Sequence, residues 1–336
     1  MNRREFIRNA TGISGAVIAP SLGGSLEARA APPTARIAFV KTRDRAAGVA
    51  RAIDLLALDR FDGNDVLVKP NLNSADKAPG STHPDTLAAL MRKLAAMGAG
   101  TMTVGDRSGM GDTRDVMEKT QVFRIARQLG ARVVVLDELG AGDWDLIELP
   151  ESHWQQGFAL PRMVRTAGAV VQTCCLKTHR YGGHFTLSLK NSVGLAAKRI
   201  PGNPHDFMRE LHASSHQRRM IAEINAAYRP SLVVLDGVEA FVTGGPDNGK
   251  RVDAEVVLAG TDRIAIDAVG VALLRHFGTT PEVSRGRIFE QEQIARAVQL
   301  GLGVTGPGGI ELVTGDPDSA DYAKRIRAIL DGAPGG

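Results

Sequence analysis

The feature that most narrows the fold is an alternation. Short runs that are apolar throughout, such as Val66-Leu67-Val68 and Leu232-Val233-Val234-Leu235, take turns with longer amphipathic stretches such as 46–58 and 83–97. A strand apolar on both faces needs cover on both. Helices placed between successive strands supply that cover and make the strands parallel. The pattern predicts strands at 36–40, 65–68, 101–104, 132–136, 146–149, 169–172, 231–235 and 255–258. Helices are predicted at 46–58, 83–97, 115–129, 161–167, 217–228, 262–277, 288–300 and 322–330. Thr82 is the N-cap candidate of the second helix, Pro84 sits in its first turn and Gly98 stops it. The expected fold class is α/β, with a largely parallel sheet covered by helices on both faces in a three-layer arrangement. With 336 residues in the chain, this is one large domain over 31–336, or two joined halves at about 36–150 and 160–336. The polar segment 199–217 carries Pro201, Pro204, His205, His212 and His216 and is expected to be a long loop or lid.

Residues 1–30 read as an address. Arg3-Arg4 followed by Phe6-Ile7 and Arg8 matches a twin-arginine export pattern. A weakly apolar stretch interrupted by Pro20 follows, and Ala28-Arg29-Ala30 fits a small-x-small cleavage site. Expected consequences are export by the twin-arginine translocase, cleavage after Ala30, a periplasmic or otherwise exported location, and no membrane span after cleavage. The address also explains half of the formal charge of +4, since it holds Arg3, Arg4, Arg8 and Arg29 against Glu5 and Glu27. The remainder is nearly neutral, has no basic run and carries only 4% aromatic residues in the whole chain, which argues against nucleic-acid binding.

Cys174 and Cys175 are the chain's 2 cysteines. Adjacent cysteines make no disulfide framework, and without a C-x-x-C pair no internal iron–sulfur cluster is expected. They are either small buried residues or, as a lesser alternative, a thiolate near Lys177.

Four polar clusters begin where predicted strands end: Lys69-Pro70-Asn71-Leu72-Asn73, Gly105-Asp106-Arg107-Ser108-Gly109, Thr173 to His179, and Asp236-Gly237. Ligands of open parallel sheets bind outside the carboxyl ends of the strands. If the four strands are parallel neighbours, Lys69, Asp106, Lys177, His179 and Asp236 face one another. Surface turns are the competing account of each cluster. Lys190 and Asn191 interrupt the apolar stretch Phe185 to Gly194. A buried Lys needs a partner or loses its proton. Lys177 and Lys190 are expected to hold an anionic group together, or one of them to act as a base with a lowered pKa, or both to form ion pairs with Asp106, Asp236 or Asp267. Asp262 is expected to cap its helix, with Asp267 facing the crevice or pairing with a Lys.

Taken in order, Val66-Leu67-Val68-Lys69-Pro70-Asn71, Thr82-His83-Pro84, Gly105-Asp106 with Ser108-Gly109, Leu176-Lys177-Thr178-His179, Leu189-Lys190-Asn191, Val234-Leu235-Asp236-Gly237 and Ala265-Ile266-Asp267-Ala268 resemble the domain of unknown function 362 family, over about 36–277. Many members carry a ferredoxin-like segment with Cys-ligated clusters, which this sequence lacks. The resemblance implies fold and site and supplies no reaction.

The combined expectation is an exported enzyme acting on a small anionic molecule bearing carboxylate or phosphate, by hydrolase, isomerase or lyase chemistry. Lys177, His179, Asp106 and Lys190 are the catalytic candidates. Lys69, Asn71, Asn73, His83, Ser108 and Asn191 are the substrate-binding candidates. Asp106, His179 and Asp236 are candidate ligands of a divalent metal. The alternative is a non-catalytic ligand- or metal-binding or maturation factor using the same pocket.

Overall fold

A computed structural model describes residues 34–332. The twin-arginine pattern and its cleavage site lie outside the described residues. Strands are β1 (Ala35–Lys41), β2 (Val66–Lys69), β3 (Met102–Asp106), β4 (Arg132–Val135), β5 (Trp144–Ile147), β6 (Phe158–Pro161), β7 (Ala169–His179), β8 (His184–Thr186), β9 (Leu232–Gly244), β10 (Gly249–Gly260) and β11 (Ile310–Val313). The main sheet has the order β11-β1-β10-β9-β7-β2-β3-β4, with β8 paired to β7, while β5 and β6 form a separate ribbon.

The run β9-β7-β2-β3-β4 is parallel throughout. Antiparallel pairing enters where β10 lies between β1 and β9, and where β8 folds back on β7. β7 comes from the second half of the chain, yet it sits between β2 and β9.

The apolar strands alternate their side chains between two helical layers, as the period of two requires. Val66, Val68, Val104 and Val171 face a core built with Val49, Ile53, Leu90 and Leu94 of helices Arg45–Leu56 and Pro84–Ala96. Leu67 and Val170 point the other way, into Phe158, Leu160, Leu195 and Ile221. Further along the same face, Leu235 and Leu258 pack with helices Arg263–His276 and Pro317–Leu330. The architecture is the expected α/β sheet with helices on both faces. No helix of the described residues is long and apolar enough to cross a membrane.

Local departures have local causes. His83, not Thr82, caps helix Pro84–Ala96: its Nδ1 accepts from the Asp85 N–H, while the Thr82 hydroxyl accepts from Asn71 N–H. The expected helix 115–129 is two helices, Thr113–Lys119 and Val122–Gln128, because Gln121 takes a left-handed φ of 66°. The expected loop 199–217 contains a helix, Phe207–Ala213, capped by Asp206. Asp262 caps helix Arg263–His276 as expected. β7 and β9 run well beyond their apolar runs, so Lys177, His179 and Asp236 lie within strands rather than in loops after them. β6, β8 and β11 are short and were not expected.

Candidate functional site

Because β9, β7, β2 and β3 are parallel neighbours, the segments that leave β2 and β3 emerge together at one edge. Beside them stands the chain from β8 to helix Phe207–Ala213. Between these segments lies a cleft of about 890 Å³. That is within the range of about 300–1,000 Å³ typical of small-molecule sites.

Its floor is a buried ion pair. Lys69 Nζ lies 2.7 Å from Asp106 Oδ1, and both side chains are 1% exposed. Lys69 also donates to Pro70 O and Asn191 Oδ1. Asp106 accepts from the Leu72 and Arg107 backbone N–H groups. Burial pushes the Lys69 amine down and the Asp106 carboxyl up, and each opposes the other's shift. Gly194 makes this approach possible: a Cβ there would stand 2.5 Å from Asp106 Oδ1 and 2.7 Å from Lys69 Nζ.

A chain of hydrogen bonds ties the floor to the centre of the sheet. Asn191 Oδ1 accepts from Asn71 Nδ2 as well as from Lys69, and Asn191 Nδ2 donates to Thr173 O of β7. Lys177 Nζ donates to Asn71 Oδ1 and to Gly80 O. Lys177 is fully buried outside the cleft lining, and burial lowers its pKa. Its role in this structure is therefore to hold Asn71 and the turn at Gly80. Neither Lys177 nor Lys190 makes the ion pairs expected of it. Lys69 takes Asp106, Arg45 takes Asp236, and Asp267 takes the Ser188 hydroxyl and backbone N–H groups.

Lys190 differs from the other two lysines. It stands in the short helix Ser188–Asn191, lines the cleft, and has no hydrogen-bond or ion-pair partner among the described residues. Burial first, then the charges of Lys177 and Arg107, bring its pKa down to about 7. His179 and Thr186, both less than a tenth exposed, line the same cleft, and His179 Nδ1 and Thr186 Oγ1 are unpartnered among the described residues. Burial, with the nearby charges of Lys190 and Lys177, holds the His179 imidazole well below its usual range. The two side chains meet over Gly183, where a Cβ would stand 2.7 Å from Lys190 Cε and 3.0 Å from His179 Nδ1. Asp267 sets this helix in place, accepting from Ser188 N–H and hydroxyl and from Leu189 N–H. Burial pushes its carboxyl up to about 7.

The rim adds charge that the motifs did not single out. Arg107 is buried and spans the carbonyls of Ala196 and Val193. Lys198 pairs with Asp137 and Arg199 with Asp206. Arg209 lines the cleft without an ion-pair partner among the described residues. Subtracting these pairs and the floor pair leaves Lys190, Arg107 and Arg209, an excess of positive charge. Apolar cover comes from Met110, Tyr181 and Met208. Arg107 sat inside a cluster already read as polar, and Thr186 beside Lys190. The signal for Arg199 and Arg209 was only their membership of the polar segment 199–217, and for Lys198 its position next to it.

Of the expected residues, the cleft lining brings together Lys69, Asn71, Asn73, Asp106, His179, Lys190 and Asn191. Ser108 is fully buried and outside the lining; its N–H donates to Thr113 Oγ1. His83 lies elsewhere, as the helix cap. Asp236 is also elsewhere, with its carboxylate taken by Arg45, Thr86 and the Val238 N–H. Asp106, His179 and Asp236 therefore do not converge as metal ligands. Among the described residues no group of three or more His, Cys, Asp or Glu side chains is placed to hold a metal ion. His179 and His184 are cross-strand partners in β7 and β8. Cys174 and Cys175 are buried free thiols; burial pushes the first well up and the second to about 11, which leaves no thiolate for nucleophilic work.

These features define an α/β protein with a cationic cleft at the carboxyl edge of its parallel strands. The chain belongs to the family described as Domain of unknown function (DUF362), whose model matches residues 66–272, from β2 into the helix that carries Asp267. It is similar to the thylakoid-associated protein sll1697 of Synechocystis sp., at 26% identity over 219 residues, 63% of this chain. The chain spans 64% of the length of that relative. A partial likeness is to the lactate racemase apoprotein from Thermoanaerobacterium thermosaccharolyticum, with a TM-score of 0.40 and 16% identity over 62% of this chain and 51% of that one.

Proposed function

We propose that the cleft is the active site of an exported enzyme for a small anion bearing a carboxylate or phosphate, and that Lys190 exchanges a proton with that substrate. The observation that carries this reading is the partnerless Lys190 amine in a cleft with excess positive charge. An amine with a pKa of about 7 is part neutral and part charged at neutral pH, so it can both accept and return a proton. Arg107 and Arg209 supply charge for the substrate's anionic group. Asn71, Asn73 and Asn191 orient it, and the Lys69–Asp106 pair holds the two loops that form the floor. His179, held neutral, is the second group able to move a proton. The metal ligands expected from the sequence do not converge, so no step is assigned to a metal ion.

Isothermal titration of the purified protein with inorganic phosphate and with malonate tests the binding half. Affinity should fall about tenfold or more in Lys190→Met, the loss of one charge-assisted contact. The catalytic half is tested by following small carboxylates and phosphate monoesters with ¹H and ³¹P NMR. Turnover that Lys190→Met abolishes supports an enzyme. Binding without turnover of any compound favours the ligand-binding alternative. Absence of anion binding removes both. Export is tested by fusing residues 1–33 to a fluorescent reporter, which should reach the periplasm only when Arg3 and Arg4 are intact.

A further inference from the structure

The molecule has three lysines buried around one edge of its sheet, and two of them are engaged. Lys69 is bonded to a carboxylate and two oxygens, and Lys177 to an amide oxygen and a carbonyl. Lys190 has no such partner among the described residues; His179 Nδ1, which meets it over Gly183, and Thr186 Oγ1, in the same cleft lining, are buried polar atoms that also lack one. An amine used only to attract an anion gains nothing from losing its charge. A desolvated amine next to other cations is instead the arrangement that makes a lysine nucleophilic toward a carbonyl carbon.

We propose that Lys190 forms an imine with the carbonyl carbon of a small oxo acid, whose carboxylate is held by Arg107 and Arg209. This rests on the anion-site reading above and narrows its substrate to oxo acids. In the first step the neutral Lys190 nitrogen attacks the carbonyl carbon. A C–N bond forms, the C=O π pair moves to oxygen, and a proton passes from nitrogen to that oxygen to give a carbinolamine. In the second step the C–O bond breaks, and a proton delivered by way of His179 lets the oxygen leave as water. The nitrogen lone pair forms the C=N bond, and the nitrogen's remaining proton replaces the one delivered. The sum is amine plus carbonyl giving imine plus one water, with no oxidant or reductant. The Thr186 hydroxyl, unpartnered among the described residues and lining the same cleft, is the proposed hydrogen-bond donor to the oxygen that departs. Met110, Tyr181 and Met208 at the mouth suit an acid whose carbonyl carries an apolar substituent.

The test uses the full chain with pyruvate, acetoacetate and phenylpyruvate in parallel. Each mixture is treated with borohydride, which reduces an imine to a stable secondary amine, and peptides are then mapped by mass spectrometry. Modification should fall on Lys190 and not on Lys69 or Lys177. Its yield should drop to half near pH 7 as the amine becomes protonated. Lys190→Arg should show no adduct there while still unfolding cooperatively on heating. Adducts confined to exposed lysines, or no adduct with any of the three acids, overturn the imine. If phosphate binding to the wild-type protein survives that result, the anion site stands without the imine. If phosphate binding is absent as well, both readings fall.

Discussion

The carboxyl edge of the sheet holds two polar clusters of similar composition and opposite character. Around Asp236, every charge is answered. Arg45 bonds Asp236 and Glu239, Thr86 adds a hydroxyl to Asp236, and Arg251 takes the other oxygen of Glu239. Around Lys190, beside the neighbouring strand β7, an amine, an imidazole nitrogen and a hydroxyl remain unanswered among the described residues. Both clusters follow apolar strand runs, and both mix acids with bases. Saturation, not residue type, separates a brace from a site, because an unsatisfied buried group is costly and persists only where something else offsets it.

The contrast can be broken by substitution, and the largest effects belong to the cleft floor, the buried Lys69–Asp106 pair. Lys69→Met strands Asp106 without its cation and should cost about 3–5 kcal/mol in chemical denaturation. The pair Lys69→Met with Asp106→Leu should recover most of it. Gly194→Ala should lose stability on the same scale by driving a methyl into the pair.

Lys190→Met should act in the opposite direction, with a pH signature. The folded protein releases this proton near pH 7, whereas the unfolded chain keeps it to about 10.5. Wild-type stability should therefore climb as pH rises between those values. The variant lacks that climb, so its advantage should be a few kcal/mol at pH 6.5 and shrink toward pH 10. A variant less stable than wild type at pH 6.5 would mean that Lys190 has a partner after all.

Asp236→Asn should lower stability by about 1–3 kcal/mol, the scale of a broken charged hydrogen bond, with phosphate affinity unchanged. A matching loss of affinity would merge the two clusters into one site. Tyr181→Ala, at an exposed position, should move stability by about 0.5 kcal/mol or less and weaken phenylpyruvate more than phosphate.

The sheet was legible because its signal is local. Val66-Leu67-Val68 and Leu232 to Leu235 declare buried strands without reference to anything distant. Of the five residues the strand-end rule grouped, Lys69, Asp106 and His179 line one cleft and Lys177 and Asp236 do not; Lys190 was legible separately, as a lysine interrupting an apolar stretch. What the rule could not show was where each strand stops. Once Thr173 to His179 continues β7, Lys177 and His179 share a face two residues apart, and their surroundings along the strand differ: Lys177 meets Asn71 and Gly80, while His179, nearer the strand end, lines the cleft. Asp236 was misplaced because its partner, Arg45, sits 191 positions away at the start of a helix. Arg209 depends on helix Phe207–Ala213, seven residues with too little periodicity to stand out from a polar loop.

Gly183 and Gly194 give the cleft a signature that can be read by inheritance. Neither is glycine for the sake of a left-handed turn; each leaves room for a pair of functional side chains, His179 with Lys190 in one case and Lys69 with Asp106 in the other. A lineage that retains such a pair has to retain the matching glycine, and one that loses the pair is free to fill the gap. Members of the family should therefore sort into two groups, in which glycine at 183 is inherited together with lysine at 190 and is lost with it.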